Sequence, residues 1–156
     1  MDQLEEHAQL RDNCASAPLD PICELTQLRA EFERCWPWLW SSLCEFGPTH
    51  HKEQVWLRLV RSQAFLWSTS DCVIVGEFIR YPIGLRAFNY WLQGGSLAEL
   101  KTLHDGIEAW AIERGAQQAR GEGRQGWLRA MTGKWEKGAT VRTKWLIKPP
   151  SSSNVT

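Results

Sequence analysis

Leu92-Gln93-Gly94-Gly95-Ser96-Leu97-Ala98-Glu99 is the stretch at which a strand pattern becomes a helix pattern. The apolar run ends on two glycines, and Ser96-x-x-Glu99 reads as a capping box, with each side chain placed to satisfy a backbone amide of the other. Behind it Leu97, Leu100, Leu103, His104, Ile107, Trp110 and Ala111 form one apolar stripe of a helix expected to end at Gly115. His104 belongs to that stripe and reads as a packed or hydrogen-bonded histidine.

Upstream, Asp71 to Tyr81 is apolar on both faces, as a central strand should be. Tyr81-Pro82-Ile83-Gly84 reads as a tight turn, and Leu85 to Gln93 as the antiparallel return. Gln63 to Ser68 reads as a short strand before them. Downstream, Ala116 to Gly121 follows a helical crossover, which predicts local parallel pairing. A brief helix is expected over Gly123 to Met131 and a last strand over Val141 to Lys148.

Two helices precede the strands. Leu28, Phe32, Cys35, Leu39 and Leu43 fall at helical spacing, with a kink or restart expected near Trp36 because Pro37 lies inside. Thr49 is placed to cap a second helix over His50 to Arg61, and His50 and His51 read as solvent-facing. The expected organisation is an acidic, partly disordered segment over 1–27, one domain over 28–148, and a disordered tail over 149–156. The segment to about Thr26 has two prolines and few core residues, and reads as a mobile docking arm.

Composition bounds the function. The formal charge is zero, yet Met1 to Gly47 holds nine acids against three bases. Arg114 to Lys148 holds nine bases against Glu122 and Glu136, so a nucleic-acid contact is one reading of that stretch. No apolar run approaches about 18 residues, which argues against a membrane partner. The acidic N-terminus has the wrong charge for a secretory signal. The five cysteines lack the close pairs of zinc sites and read as small buried residues in a reducing compartment. Ten tryptophans read mostly as core and interface ballast.

The order of strands and helices around Gly94-Gly95 resembles the core of GNAT-type acetyltransferases: an α/β fold with a mixed, mainly antiparallel sheet flanked by helices. That resemblance implies a CoA pyrophosphate site at Gly94, Gly95 and Ser96, where helix N-terminal amides favour anions. Here the loop is short and lacks the usual basic residue, and a plain capped connection explains the same residues. The resemblance also implies a general base on a central strand. Glu77 lies mid-strand in an apolar context, with solvent exposure or pairing to Arg86 as the other readings.

Gly94-Gly95-Ser96-Leu97 with Leu100, then Ile107-Glu108-Ala109-Trp110-Ala111 and Gly115, then Gly123-Arg124-Gln125-Gly126-Trp127-Leu128-Arg129, follow one another in order. This series resembles a group of small phage and prophage proteins of GNAT-like fold whose genes accompany virion-structure genes. The resemblance implies a virion-associated or morphogenesis protein, in the virion or host cytoplasm, that binds virion structural proteins through residues such as Arg124, Trp127 and Arg129. No cofactor is then expected. The alternatives are an acetyl-CoA-dependent N-acetyltransferase and a nucleic-acid contact protein using Arg114 to Lys148.

Overall fold

The computed structural model describes residues 16–45 and 48–122, together with Trp135, Lys144 and Leu146. The helix expected over Gly123 to Met131 lies outside the described residues, as does the strand expected over Val141 to Lys148 apart from Lys144 and Leu146.

The first helix, α1, spans Leu25–Cys44. It starts three residues earlier than its apolar spacing suggests, because the Glu24 carboxylate accepts from the amides of Thr26 and Gln27. Those bonds hold the Glu24 carboxyl below its ordinary pKa. The element runs through Pro37 without the expected restart, since Trp36, Leu39 and Leu43 are buried on either side of it. Helix α2 spans Lys52–Val60 with His51, not Thr49, at its N-cap. There Gln54 Oε1 accepts from the His51 amide at 2.8 Å. Only Val55 and Leu59 of α2 are buried.

Four strands follow the expected order: β1 (Phe65–Ser68), β2 (Cys72–Arg80), β3 (Arg86–Gly95) and, after helix α3 (Leu97–Glu113), β4 (Gln118–Gly121). They form a mixed sheet in the order β1-β2-β3-β4. The first two pairings are antiparallel, and β3 pairs parallel with β4 across the α3 crossover, as the connection length requires. The chain is therefore α/β, with helices on both faces of the sheet.

The two faces bury separate cores. On one, Leu28, Phe32, Cys35 and Leu39 of α1 and Val55 of α2 pack on Leu66, Val73, Val75 and Leu92. On the other, Leu100, Leu103, Ile107 and Trp110 of α3 pack on Trp67, Ile74, Phe88 and Tyr90. A fully buried side chain of this kind contributes roughly 1.5–3 kcal/mol, so both faces are well anchored. Burial also pushes the Cys35 thiol up to about 11, which makes it a packing residue and not a nucleophile.

A bulge switches β3 from one core to the other. Tyr90 pairs with Gly76 and Leu92 with Val75, leaving Trp91 as an extra residue. Side chains otherwise alternate, so without it Tyr90 and Leu92 would share a face. With it, Phe88 and Tyr90 meet α3, whereas Trp91 and Leu92 meet the α1–α2 side.

The segment 17–24 departs from the expected mobile arm. Leu19 donates its amide to the Gly106 carbonyl at 2.9 Å, Ile22 donates to Leu66 at 3.0 Å, and Trp67 Nε1 donates to the Leu19 carbonyl at 2.9 Å. Pro21 is buried. The segment thus straps the outer side of β1 to α3, using backbone groups that an edge strand would otherwise leave open. The strap explains a glycine inside α3: a Cβ at Gly106 would stand 2.8 Å from the Leu19 Cβ.

Helix propensity alone predicts that Gly106→Ala stabilises by about 1 kcal/mol. The strap predicts the opposite sign. In denaturant melts Gly106→Ala should lose stability in the full chain and gain it in a chain truncated before Glu24. A gain in both would mean that the strap does not bear on α3.

Candidate functional site

Glu77 sits on the face of β2 that looks toward α2. Arg58 Nη2 donates to its Oε2 at 2.5 Å, and Asn89 Nδ2 donates to Oε1 at 3.2 Å. Arg86, the partner considered from sequence, instead lies over the Phe78 ring on the other face, 4.2 Å from its centroid. Arg58 also lies 5.1 Å from the Trp91 ring centroid, and the His50 ring meets Trp91 edge-on at 4.9 Å. His50 is therefore half-buried and not solvent-facing. Its pKa is lowered by that burial and then by the Arg58 charge, with Glu77 opposing. Both carboxylate oxygens of Glu77 already accept from the chain itself. The arrangement ties α2 to the bulged part of the sheet.

The start of α3 places Gly94, Gly95 and Ser96 together, and each has a packing role. A Cβ on Gly94 would stand 2.7 Å from the Trp38 Cβ. Gly95 has φ +97° and passes so close to the Asp71 carbonyl that a Cβ there would meet it at 2.1 Å. Ser96 donates its own amide to that carbonyl at 2.8 Å, while its Oγ accepts from Glu99 at 3.5 Å. Two amides at this helix start are thus engaged internally. The Asp71 and Glu99 carboxylates stand at the same end and would repel an added phosphate. Arg124, Trp127 and Arg129 lie outside the described residues.

A third constellation was not singled out from sequence. Tyr90 and His104 are buried on the α3 face with their rings 4.6 Å apart, and Trp135 lies 6.1 Å from the Tyr90 ring. His104 Nε2 bonds to Gln93 Oε1 at 3.0 Å. Because that oxygen only accepts, Nε2 carries the proton and Nδ1 is a bare acceptor. Nδ1 and the Tyr90 hydroxyl are both buried without a hydrogen-bond partner among the described residues. Glu108, one turn on from His104, completes the group.

Burial sets the protonation of these groups. It lowers His104 to about 4 and raises Tyr90 well above its ordinary value. Glu108 is pushed up to about 7, first by burial and then by the Asp105 charge. At neutral pH the cluster holds a neutral histidine, a neutral tyrosine and a carboxyl near half-protonation. The i, i+4 spacing of His104 and Glu108 was visible in the sequence. The inward turn of Gln93 was not, because it follows from the Trp91 bulge. Among the described residues no group of three or more His, Cys, Asp or Glu could hold a metal ion, and no helix is long and apolar enough to cross a membrane.

The two shifts have opposite effects on stability. The depressed histidine makes stability rise with pH between about 4 and 6.5, since the unfolded chain binds the proton more readily. The raised carboxyl is stabilising below about 4.5 and loses that contribution as pH climbs through about 7. Glu108→Gln removes only the second. Relative to the unsubstituted chain, it should gain stability from pH 5 to pH 8 by on the order of 2 kcal/mol in urea melts. Parallel profiles would place Glu108 in solvent.

No family model, curated protein or solved structure matches the chain, and the functional reading rests on its own residues.

Proposed function

We propose that the chain is a phage virion-associated or morphogenesis protein with a degenerate GNAT-like fold, acting by binding other virion proteins and not by acyl transfer. The order of elements supports the GNAT-like part: two helices, three antiparallel strands, a helix, and a parallel strand beside the last. The spaced Gly-Gly, Ile-Glu-x-Trp-Ala and Gly-Arg-x-Gly-Trp segments support the phage reading.

The observation that carries the non-catalytic part is the bond from the Ser96 amide to the Asp71 carbonyl. A helix start binds a pyrophosphate through unpaired amides. Here the first of them is used, the approach is closed by the Gly95–Asp71 contact, and the nearby side chains are acidic. The base assignment for Glu77 is weakened likewise, because Arg58 and Asn89 occupy both oxygens.

Isothermal titration with acetyl-CoA should show no binding below roughly millimolar concentration, where binding energies are only about 4 kcal/mol. Micromolar binding would overturn the reading and return Glu77 to the position of base. In parallel, mass spectrometry of particles assembled with the gene present should find the protein in them. Its absence from particles would remove the virion assignment.

A further inference from the structure

Four arginines lie toward the end of the sheet opposite the start of α3, with Arg80, Arg86 and Arg114 on the α3 side and Arg120 on the other side, in the row of Asn89 and Glu77. Arg80 closes β2, Arg86 opens β3, Arg120 lies in β4, and Arg114 is the C-cap of α3. The β2–β3 hairpin and the α3 crossover bring them to this end, although Arg80 and Arg120 are 40 positions apart in sequence.

Their surroundings are unusual in three respects. Arg80 and Arg86 are direct cross-strand partners, an opposition of like charges that destabilises a sheet. Among the described residues no carboxylate pairs with Arg80, Arg86 or Arg120, and Arg114 reaches only Glu113, at 4.0 Å. Arg86 Nε is buried with no hydrogen-bond partner.

Three of the four guanidinium groups nonetheless lie against aromatic rings. Arg86 lies 4.2 Å from the Phe78 ring centroid and Arg114 4.2 Å from that of Trp110, and these two rings are 5.6 Å apart. Arg120 lies 5.3 Å from the Tyr81 ring centroid and bonds to its hydroxyl. These contacts restrain Arg86, Arg114 and Arg120, and guanidinium N–H groups match phosphate oxygens in geometry and charge.

We propose that this arginine end is a sequence-independent binding surface for the phosphate backbone of a nucleic acid. An acidic protein segment fits less well. A protein interface centres on exposed apolar or aromatic side chains. Here aromatic rings lie beneath three of the guanidinium groups, Trp110 is 2% exposed, and among the described residues the strongly exposed apolar residue of this end is Ile83 in the hairpin turn. A polyanion needs only the charges. Its phosphates offset the Arg80–Arg86 opposition. The function is distinct from the protein binding proposed above, and either can fail alone.

The test is fluorescence anisotropy with labelled single-stranded and duplex DNA of about 20 nucleotides, at salt between about 50 and 200 mM. Four phosphate contacts predict an affinity loss of about a hundredfold across that range. Arg80→Gln and Arg120→Gln, both at exposed positions, should each weaken binding and make the salt slope shallower by about one unit. Lys101→Gln, in the N-terminal half of α3, removes the same charge and should change neither. Far-ultraviolet circular dichroism checks that each variant is folded. Binding unchanged in both arginine variants, or weakened equally by Lys101→Gln, would overturn the proposal. So would a labelled oligoglutamate that binds as tightly as DNA, which would point to an acidic protein partner.

Discussion

One extra residue in β3 governs the arrangement of everything packed on the sheet. Trp91 is unmatched on β2, so the strand changes which side chains it shows to each face partway along its length. Before it, Phe88 and Tyr90 supply the α3 core; after it, Leu92 supplies the α1 core and Gly94 lets Trp38 come close. A regular strand would put Leu92 under α3 and Gln93 under α1. The bulge also places Trp91 where Arg58 and His50 can lie on it, and turns Gln93 toward His104. Both polar groups on the sheet therefore follow from the same irregularity, and this fits the tendency of bulges to re-aim side chains near binding sites.

The strap adds a second constraint. A four-stranded sheet has two edges, and on the β1 side the chain covers its own edge with residues 19–22. Two backbone bonds and one indole N–H make the attachment together with buried Pro21 and with Ile22, which packs on the α1-side core. Gly106 is what the helix gives up for this. A helix interior without a Cβ costs about 1 kcal/mol, a loss that the close approach of Leu19 accounts for.

Much of the fold was legible in the sequence, for local reasons. The Pro82–Gly84 turn announces the β2–β3 hairpin, the Ser96–Glu99 pair announces α3, and a helical crossover forces β4 to lie parallel. What escaped is what depends on long-range contact. Trp91 looks like any other apolar strand residue, so neither the bulge nor the burial of Gln93 could be read. Leu19, Pro21 and Ile22 look like linker because their partners, Leu66, Trp67 and Gly106, lie far along the chain. Glu77 was legible as an acid in a largely apolar strand, but its cation comes from α2 and not from the neighbouring strand. Tyr90 carried no motif and Glu108 only its place in the Ile107–Ala111 segment and its spacing from His104, and only the packing of β3 against α3 brings the two to one place.

Charge shows the same division between local and distant information. The chain has no net charge, and its sequence polarity runs from an acidic beginning to a basic end. Folding produces a different polarity, between the two ends of the sheet. At one end Asp71 and Glu99 face the start of α3, where acids complement the helix dipole. At the other, Arg114 donates to the Trp110 carbonyl and complements the dipole in turn. The dipole accounts for one arginine there. It does not account for Arg80 and Arg86 opposed on adjacent strands, or for Arg120 on β4, since β-strands carry little net dipole. Folding energetics alone would favour removing one of that pair. That opposition, with Arg86 set against the Phe78 ring, is what the proposed phosphate-binding surface would make use of.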